Sequence, residues 1–335
     1  MTRRQLLLSA AAAVTPAFAV PQTGMGIATT SFMTARRPRD TYEFLEYCHS
    51  LGAGGIQSSL ASLDPSYLKR LRGRAEQLGM YIEVMAELPK ANDSESFDHT
   101  VAGAKAAGAL CIRSAALGGR RYETFSQLSD WREFVTRSTA AIDRALPTVT
   151  KHQVPLAIEN HKDWTAQELA SLMKERSSEY LGVCLDTGNN IALLDGPMSV
   201  IETLAPYAIS THCKDMAVEP SAEGFLLSEV TLGEGVVDLG RAVETLHRAR
   251  PKTRITLEMI TRNPLPVPCL TDKYWATFPD RNGKYLADTL RMVREATGRL
   301  QHLPRIDGES TAGLLQLEED NVQQCLYYAR TRLAL

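Results

Sequence analysis

The chain of 335 residues lacks an excess of charge of either sign: 37 lysines and arginines stand against 39 aspartates and glutamates, a formal charge of -2. With no basic surplus there is nothing to hold a phosphate backbone nonspecifically, so nucleic acid is not expected as a partner. No glycine-rich dinucleotide fingerprint follows the first β-rich run and no Walker loop occurs anywhere, which argues against Rossmann and P-loop enzymes. No apolar run comfortably reaches the roughly 20 residues of a permanent membrane span. Internal repeats beyond a strand-plus-helix unit are absent, and low complexity is confined to the N-terminus.

That N-terminus reads Thr2-Arg3-Arg4-Gln5-Leu6-Leu7-Leu8, then an alanine-rich apolar stretch, then Ala17-Phe18-Ala19. Paired arginines, a short apolar run and a small-residue cleavage site describe a twin-arginine export signal over residues 1–19, with processing near Val20. The expected destination is the periplasm or the extracellular medium, with no stable membrane insertion once the signal is cut. The route carries folded proteins, which suits an enzyme that takes up a metal before leaving the cytoplasm. Six cysteines in an exported chain would permit disulfides. Cys111, Cys184 and Cys213 lie inside strand-like runs and read instead as small buried hydrophobes, while a pair among Cys48, Cys269 and Cys325 stays open.

From residue 24 onward, short β-rich runs alternate with longer amphipathic stretches. The strand-like runs cover 25–30, 55–59, 81–87, 110–115, 156–160, 181–186, 209–214 and 255–260. Helical spacing marks 41–51, 65–78, 97–107, 131–150, 166–176, 200–204 and 239–249. Eight strands with intervening helices predict an α/β fold, a (β/α)8 TIM barrel forming a single domain over 24–300, with a helical C-terminal extension over 301–335. Two long loops, 216–232 and 261–275, follow the seventh and eighth strands. Loops in that place build the active face of such a barrel.

Four predicted strands end in metal-binding side chains: Glu159 in Ala157-Ile158-Glu159, Asp186 in Val183-Cys184-Leu185-Asp186, His212 in Ser210-Thr211-His212 and Glu258 in Thr256-Leu257-Glu258. One such residue is ordinarily a loop cap or an ion-pair member. Four converging on one barrel mouth would repel unless paired or metal-bound. Three carboxylates and an imidazole suit one Mn2+, with Mg2+, Co2+ or Zn2+ as substitutes. Strand alternation puts His161 on the face of Glu159 and Lys214 on the face of His212, both directed at a bound substrate, although Lys214 also fits a surface pair with Asp215. Gln57 and Arg113, late in the second and fourth strands, are placed to hold sugar hydroxyls, and Arg113 equally suits an ion pair. Trp275 offers an apolar wall for a sugar ring or packing for the following helix.

The runs Ile158-Glu159-Asn160-His161, Gly182-Val183-Cys184-Leu185-Asp186-Thr187-Gly188-Asn189, Thr211-His212-Cys213-Lys214-Asp215, Gly233-Glu234-Gly235 and Leu257-Glu258 resemble, in order, the xylose-isomerase-like family of sugar phosphate isomerases and epimerases. The resemblance spans roughly residues 24–298. It implies Glu159, Asp186, His212 and Glu258 as the metal ligands and a metal-dependent isomerase or epimerase acting on a small carbohydrate. Apurinic endonucleases of the same superfamily place a histidine three residues after the strand-six aspartate, where this chain has Asn189, which counts against DNA repair.

The chemistry so implied is proton abstraction next to a carbonyl. Glu159 and Glu258 would act as base and acid, His161 would orient or protonate an oxygen, and Lys214 would offset developing negative charge. Export points to a non-phosphorylated sugar or keto-sugar. The alternatives are a 3-keto-glycoside lyase or hydratase on the same metal site, and a non-catalytic carbohydrate-binding protein. The oligomeric state is not legible.

Overall fold

A computed structural model describes residues 21–35, 40–91, 93–298 and 302–335; the expected export signal at 1–19 lies outside the described residues. Eight parallel strands form the barrel: β1 (Gly26–Ala28), β2 (Gly55–Ser58), β3 (Tyr81–Met85), β4 (Ile112–Ser114), β5 (Leu156–Glu159), β6 (Leu181–Asp186), β7 (Ala208–His212) and, after an excursion through β8 (Asp215–Ser221) and β9 (Gly224–Val230), β10 (Thr256–Leu257). β10 pairs with β1, and the ring closes where Cys213 N–H donates to Thr256 O at 2.7 Å and Glu258 N–H to Cys213 O at 3.1 Å. Every predicted strand is present, which gives the expected single-domain TIM-barrel architecture.

Local chemistry explains the helix boundaries. Helices Pro65–Leu78, Ala166–Arg176 and Leu239–Ala249 coincide with the predicted spans. The first has Asp64 at its N-cap, Pro in its first turn and Gly79 at φ 67° beyond its end. The second begins on a capping box, Thr165 with Glu168. Apolar faces of these helices pack on the strands in one core that includes Ile27, Ile56, Leu71, Val101, Ile112, Ile158 and Leu257. The C-terminal helix Thr311–Arg332 adds Val322, Cys325 and Leu326 to that core, and its Glu318 accepts the backbone N–H of Thr34 and Ala35.

The stretch after β7 differs from expectation. Residues 216–232, read as a long loop, form most of an antiparallel hairpin, β8 with β9, and β11 (Leu265–Val267) adds a third strand from the other predicted loop. Met216, Val218, Phe225, Leu227 and Val267 alternate inward onto a second apolar core with Tyr274 and Phe278. The hairpin is anchored at its base by buried Asp215, which accepts N–H donors from Met216, Gly233, Gly235 and Val237 at 2.9–3.0 Å. A Cβ at Gly235 would stand 2.1 Å from Asp215 Oδ1, so only glycine permits this approach. All six cysteines are free thiols, buried in place, and the open pair among Cys48, Cys269 and Cys325 does not form. Among the described residues no helix is long and apolar enough to cross a membrane.

Candidate metal centre

Four strand ends deliver the predicted ligands to one point. Glu159, Asp186 and His212 are the last residues of β5, β6 and β7, and Glu258 directly follows β10. All four are buried, and one ligand atom from each lies within 4.8 Å of the others. Three carboxylates taken out of water this close together are unstable unless cations compensate them. Glu159 Oε2 and Asp186 Oδ2 each meet a cationic side chain, Arg113 and Lys214, and among the described residues no backbone or neutral side-chain donor claims either oxygen. Hard oxygens with one imidazole therefore fit a divalent cation, held by Glu159, Asp186, His212 and Glu258.

Each ligand is oriented by its neighbours. Asp186 Oδ1 accepts the N–H groups of Gly188 and Asn189 at 2.8 and 2.7 Å, which leaves Oδ2 for the cluster. Gly188 makes that turn possible, because a Cβ there would stand 2.4 Å from Met216 Cγ. His212 Nε2–H donates to Gln57 Oε1 at 2.6 Å, so Nδ1 is the nitrogen turned to the cluster, facing Glu159, Glu258 and Asp186 at 3.1, 3.4 and 3.9 Å. Gln57 is fixed in turn by donating to Glu83 Oε2 at 2.9 Å and to Ser210 Oγ at 3.2 Å. Burial raises the Glu83 carboxyl above its ordinary value despite these donors.

The remaining predicted residues fall as follows. Burial alone would raise the Glu258 carboxyl, yet His212 and Lys214 beside it hold it well below the usual range. Thr30 Oγ donates to Glu258 Oε1 at 2.8 Å. Lys214 Nζ lies 2.9 Å from Asp186 Oδ2 and contacts Glu258 directly, and those acids outweigh burial to keep its ammonium charged. This is closer than strand alternation implied. β7 stops at His212, and Thr187 then clasps the Lys214 backbone, accepting its N–H at 2.9 Å and donating to its carbonyl at 2.7 Å. Arg113 pairs with Glu159 and lines a surface groove of about 610 Å³, so it stands between solvent and the cluster.

Three expectations are revised. Gln57 was placed on sugar hydroxyls; its amide is committed to His212, Glu83 and Ser210. His161 was expected to orient or protonate an oxygen, and against the second role burial and the neighbouring Lys162 and Arg113 push its imidazole well below the usual value. Its Nδ1–H is held by Leu117 O at 2.9 Å, so a neutral ring offers Nε2 only as an acceptor. Trp275 was read as a sugar-binding wall or as packing for the following helix; its indole N–H donates to Cys269 O at 2.9 Å and its ring packs edge-on against Tyr274, in the second apolar core.

Sequence reasoning missed Glu83, Ser210, Asn189 and Lys162. Asn189 Nδ2 donates to Glu159 Oε1 at 3.1 Å while its Oδ1 receives both Lys162 and Lys214. The one available signal was Asn189 standing where superfamily relatives carry a metal-binding histidine.

Barrel and cluster together define a class, the (β/α)8 proteins with a divalent-metal centre at the carboxyl-terminal mouth. The chain belongs to the xylose isomerase-like TIM barrel family, which it matches over residues 45–295. It is 27% identical over 228 residues to the 3-oxo-isoapionate decarboxylase of Pectobacterium atrosepticum, covering 66% of this chain and 77% of that one. Among solved structures it resembles a D-psicose 3-epimerase determined with D-fructose (TM-score 0.62, 16% identity, 93% and 99% coverage). It also resembles the 3-keto-D-glucoside 4-epimerase of E. coli (TM-score 0.55, 11% identity, 82% and 100% coverage). At these identities the structural likeness speaks for the fold.

Proposed function

We propose that the protein is a divalent-metal-dependent isomerase or epimerase that moves a proton next to the carbonyl of a non-phosphorylated sugar or keto-sugar. The observation that carries this reading is the buried set Glu159, Asp186, His212 and Glu258 with Lys214 laid against two of its carboxylates. A divalent cation held there, Mn2+ by preference with Mg2+, Co2+ or Zn2+ as substitutes, would supply Lewis-acid polarisation of the reacting carbonyl. Glu258, kept ionised, is the group ready to take a proton from the carbon next to that carbonyl. In an isomerase Glu258 would itself return that proton to the neighbouring carbon; in an epimerase a proton carried by Glu159 would be delivered to the opposite face, while Glu258 keeps the one it took until solvent resets both carboxyls. Lys214 offsets the negative charge that appears on the substrate oxygens, and His161 receives a hydrogen bond from a substrate hydroxyl.

Export by the twin-arginine route, with a periplasmic or extracellular location, belongs to the same proposal and is supported by Arg3-Arg4 and Ala17-Phe18-Ala19. The Pectobacterium relative favours a second reading, in which a 3-oxo acid loses CO2 at this site and the resulting enediolate is then protonated. The test is NMR of the Mn2+-loaded protein with free sugars, 3-keto glycosides and 3-oxo acids in D2O. Deuterium at one carbon of an intact skeleton supports the isomerase or epimerase, release of CO2 supports the second reading, and loss of an aglycone points to a lyase. Absence of exchange across the panel overturns the proposal in favour of a binding protein.

A further inference from the structure

The charges at the mouth do not pair off completely. Arg113 sits on Glu159, Lys214 on Asp186 and Glu258, and Arg262 on Glu229. Lys162 is the exception: among the described residues no carboxylate lies within ion-pair distance of its Nζ, although the residue is only 3% exposed. Its ammonium donates to Asn189 Oδ1, the oxygen that also receives Lys214 at 3.4 Å. Through that amide Lys162 stands one side chain away from Glu159. Its backbone is left-handed, φ 60°, a conformation that costs a lysine about 1 kcal/mol or more. Burial, reinforced by Lys214, pushes its ammonium down to about 7. An unpaired buried lysine on a strained backbone is costly, and a role in packing alone would be met better by methionine or leucine.

Charge balance indicates what it waits for. Glu159, Asp163, Asp186, Glu229 and Glu258 stand against Arg113, Lys162, Lys214 and Arg262, five carboxylates to four cations. A divalent cation in the cluster leaves the mouth with a positive surplus in a place that excludes water. A neutral sugar would not offset that surplus, whereas an anionic one would.

We propose that the substrate is a sugar acid whose carboxylate pairs with Lys162 beside Asn189. The proposal rests on the keto-sugar reading above and names its substrate class, a keto-aldonic or keto-uronic acid. A carboxylate fits better than a phosphate because the unpaired cation is one ammonium next to one amide. The guanidinium forks that grip phosphate, on Arg113 and Arg262, already hold glutamates.

Calorimetric titration of the Mn2+-loaded protein with D-gluconate, D-glucitol and D-glucitol 6-phosphate tests the assignment without turnover. Gluconate should bind at least about tenfold more tightly than glucitol, and Lys162→Met should lower gluconate affinity about tenfold while leaving glucitol affinity and metal content unchanged. Lys162→Gln, which keeps a donor for Asn189, should behave like the methionine variant, and Lys162→Arg should recover part of the preference. Gluconate binding no tighter than glucitol, a preference that survives in Lys162→Met, or tighter binding of the phosphate would each overturn the proposal. Tight gluconate binding by a protein that exchanges no proton in D2O would count against the proton-transfer reading and leave the anchor standing.

Discussion

The two halves of the barrel carry equal numbers of strands and unequal chemistry. β1 to β4 end in Ala28, Ser58, Met85 and Ser114, whereas β5, β6 and β7 end in Glu159, Asp186 and His212, and Glu258 follows β10. The first half supplies no metal ligand, yet the ligand half depends on it. Gln57 from β2 sets the His212 tautomer, Glu83 from β3 holds Gln57, and Arg113 from β4 neutralises Glu159. Ligands crowded onto adjacent strands therefore take their orientation from the first half, from Gln57 across the barrel and from Arg113 on the strand beside β5.

Substitutions in the two halves should separate accordingly. The largest loss of turnover is expected in the ligand half: Lys214→Met removes the charge against Asp186 and Glu258 and should lower kcat about 10²-fold or more, as loss of an oxyanion donor does. Steady-state kinetics on the substrate found by exchange would check this, and a kcat within a few-fold of wild type would return Lys214 to a structural ion pair. Across the barrel, Gln57→Leu should weaken metal affinity about 10–100-fold in chelator competition, the range for loss of a group orienting a ligand. Glu83→Gln should weaken it less, because the amide keeps an oxygen to accept from Gln57 and Ser210.

Lys162 supplies an effect of the opposite sign. Lys162→Met should raise stability at pH 7 by about 1–4 kcal/mol, the range seen when buried charge gives way to apolar volume. Between about 7, its folded value, and the ordinary 10.5, the unfolded chain binds a proton that the folded chain does not, so wild-type stability climbs with pH. The advantage of the variant should shrink across that window, and urea titrations at pH 7 and pH 9 would show it. A destabilised variant would mean that Lys162 holds the loop together.

What the sequence made legible follows the same division. Period-two strands ending in Glu159, Asp186, His212 and Glu258 could be read because each ligand terminates its own element. Glu83 could not, since Tyr81-Ile82-Glu83-Val84-Met85 reads as an ordinary alternating strand and its partners, Gln57 and Ser210, lie 26 and 127 residues away. Lys162 was hidden for a related reason: its direction is set by a left-handed backbone that neither helical nor strand periodicity describes. The hairpin β8–β9 was taken for a loop because its inward residues, Met216, Val218, Phe225 and Leu227, serve a core outside the barrel. Gln57 and Trp275 end in hydrogen bonds within the protein, to residues that strand and helix periodicity do not point to.

The central claim, that four strand ends of one half-barrel form a single divalent-metal site, is tested most directly by metal analysis. Purified protein loaded with Mn2+ and freed of excess should retain about one ion per chain, the stoichiometry of one mononuclear site. Asp186→Ala and His212→Ala should each bring that figure close to zero, with the fold verified by circular dichroism. Unchanged stoichiometry in both folded variants would contradict the account.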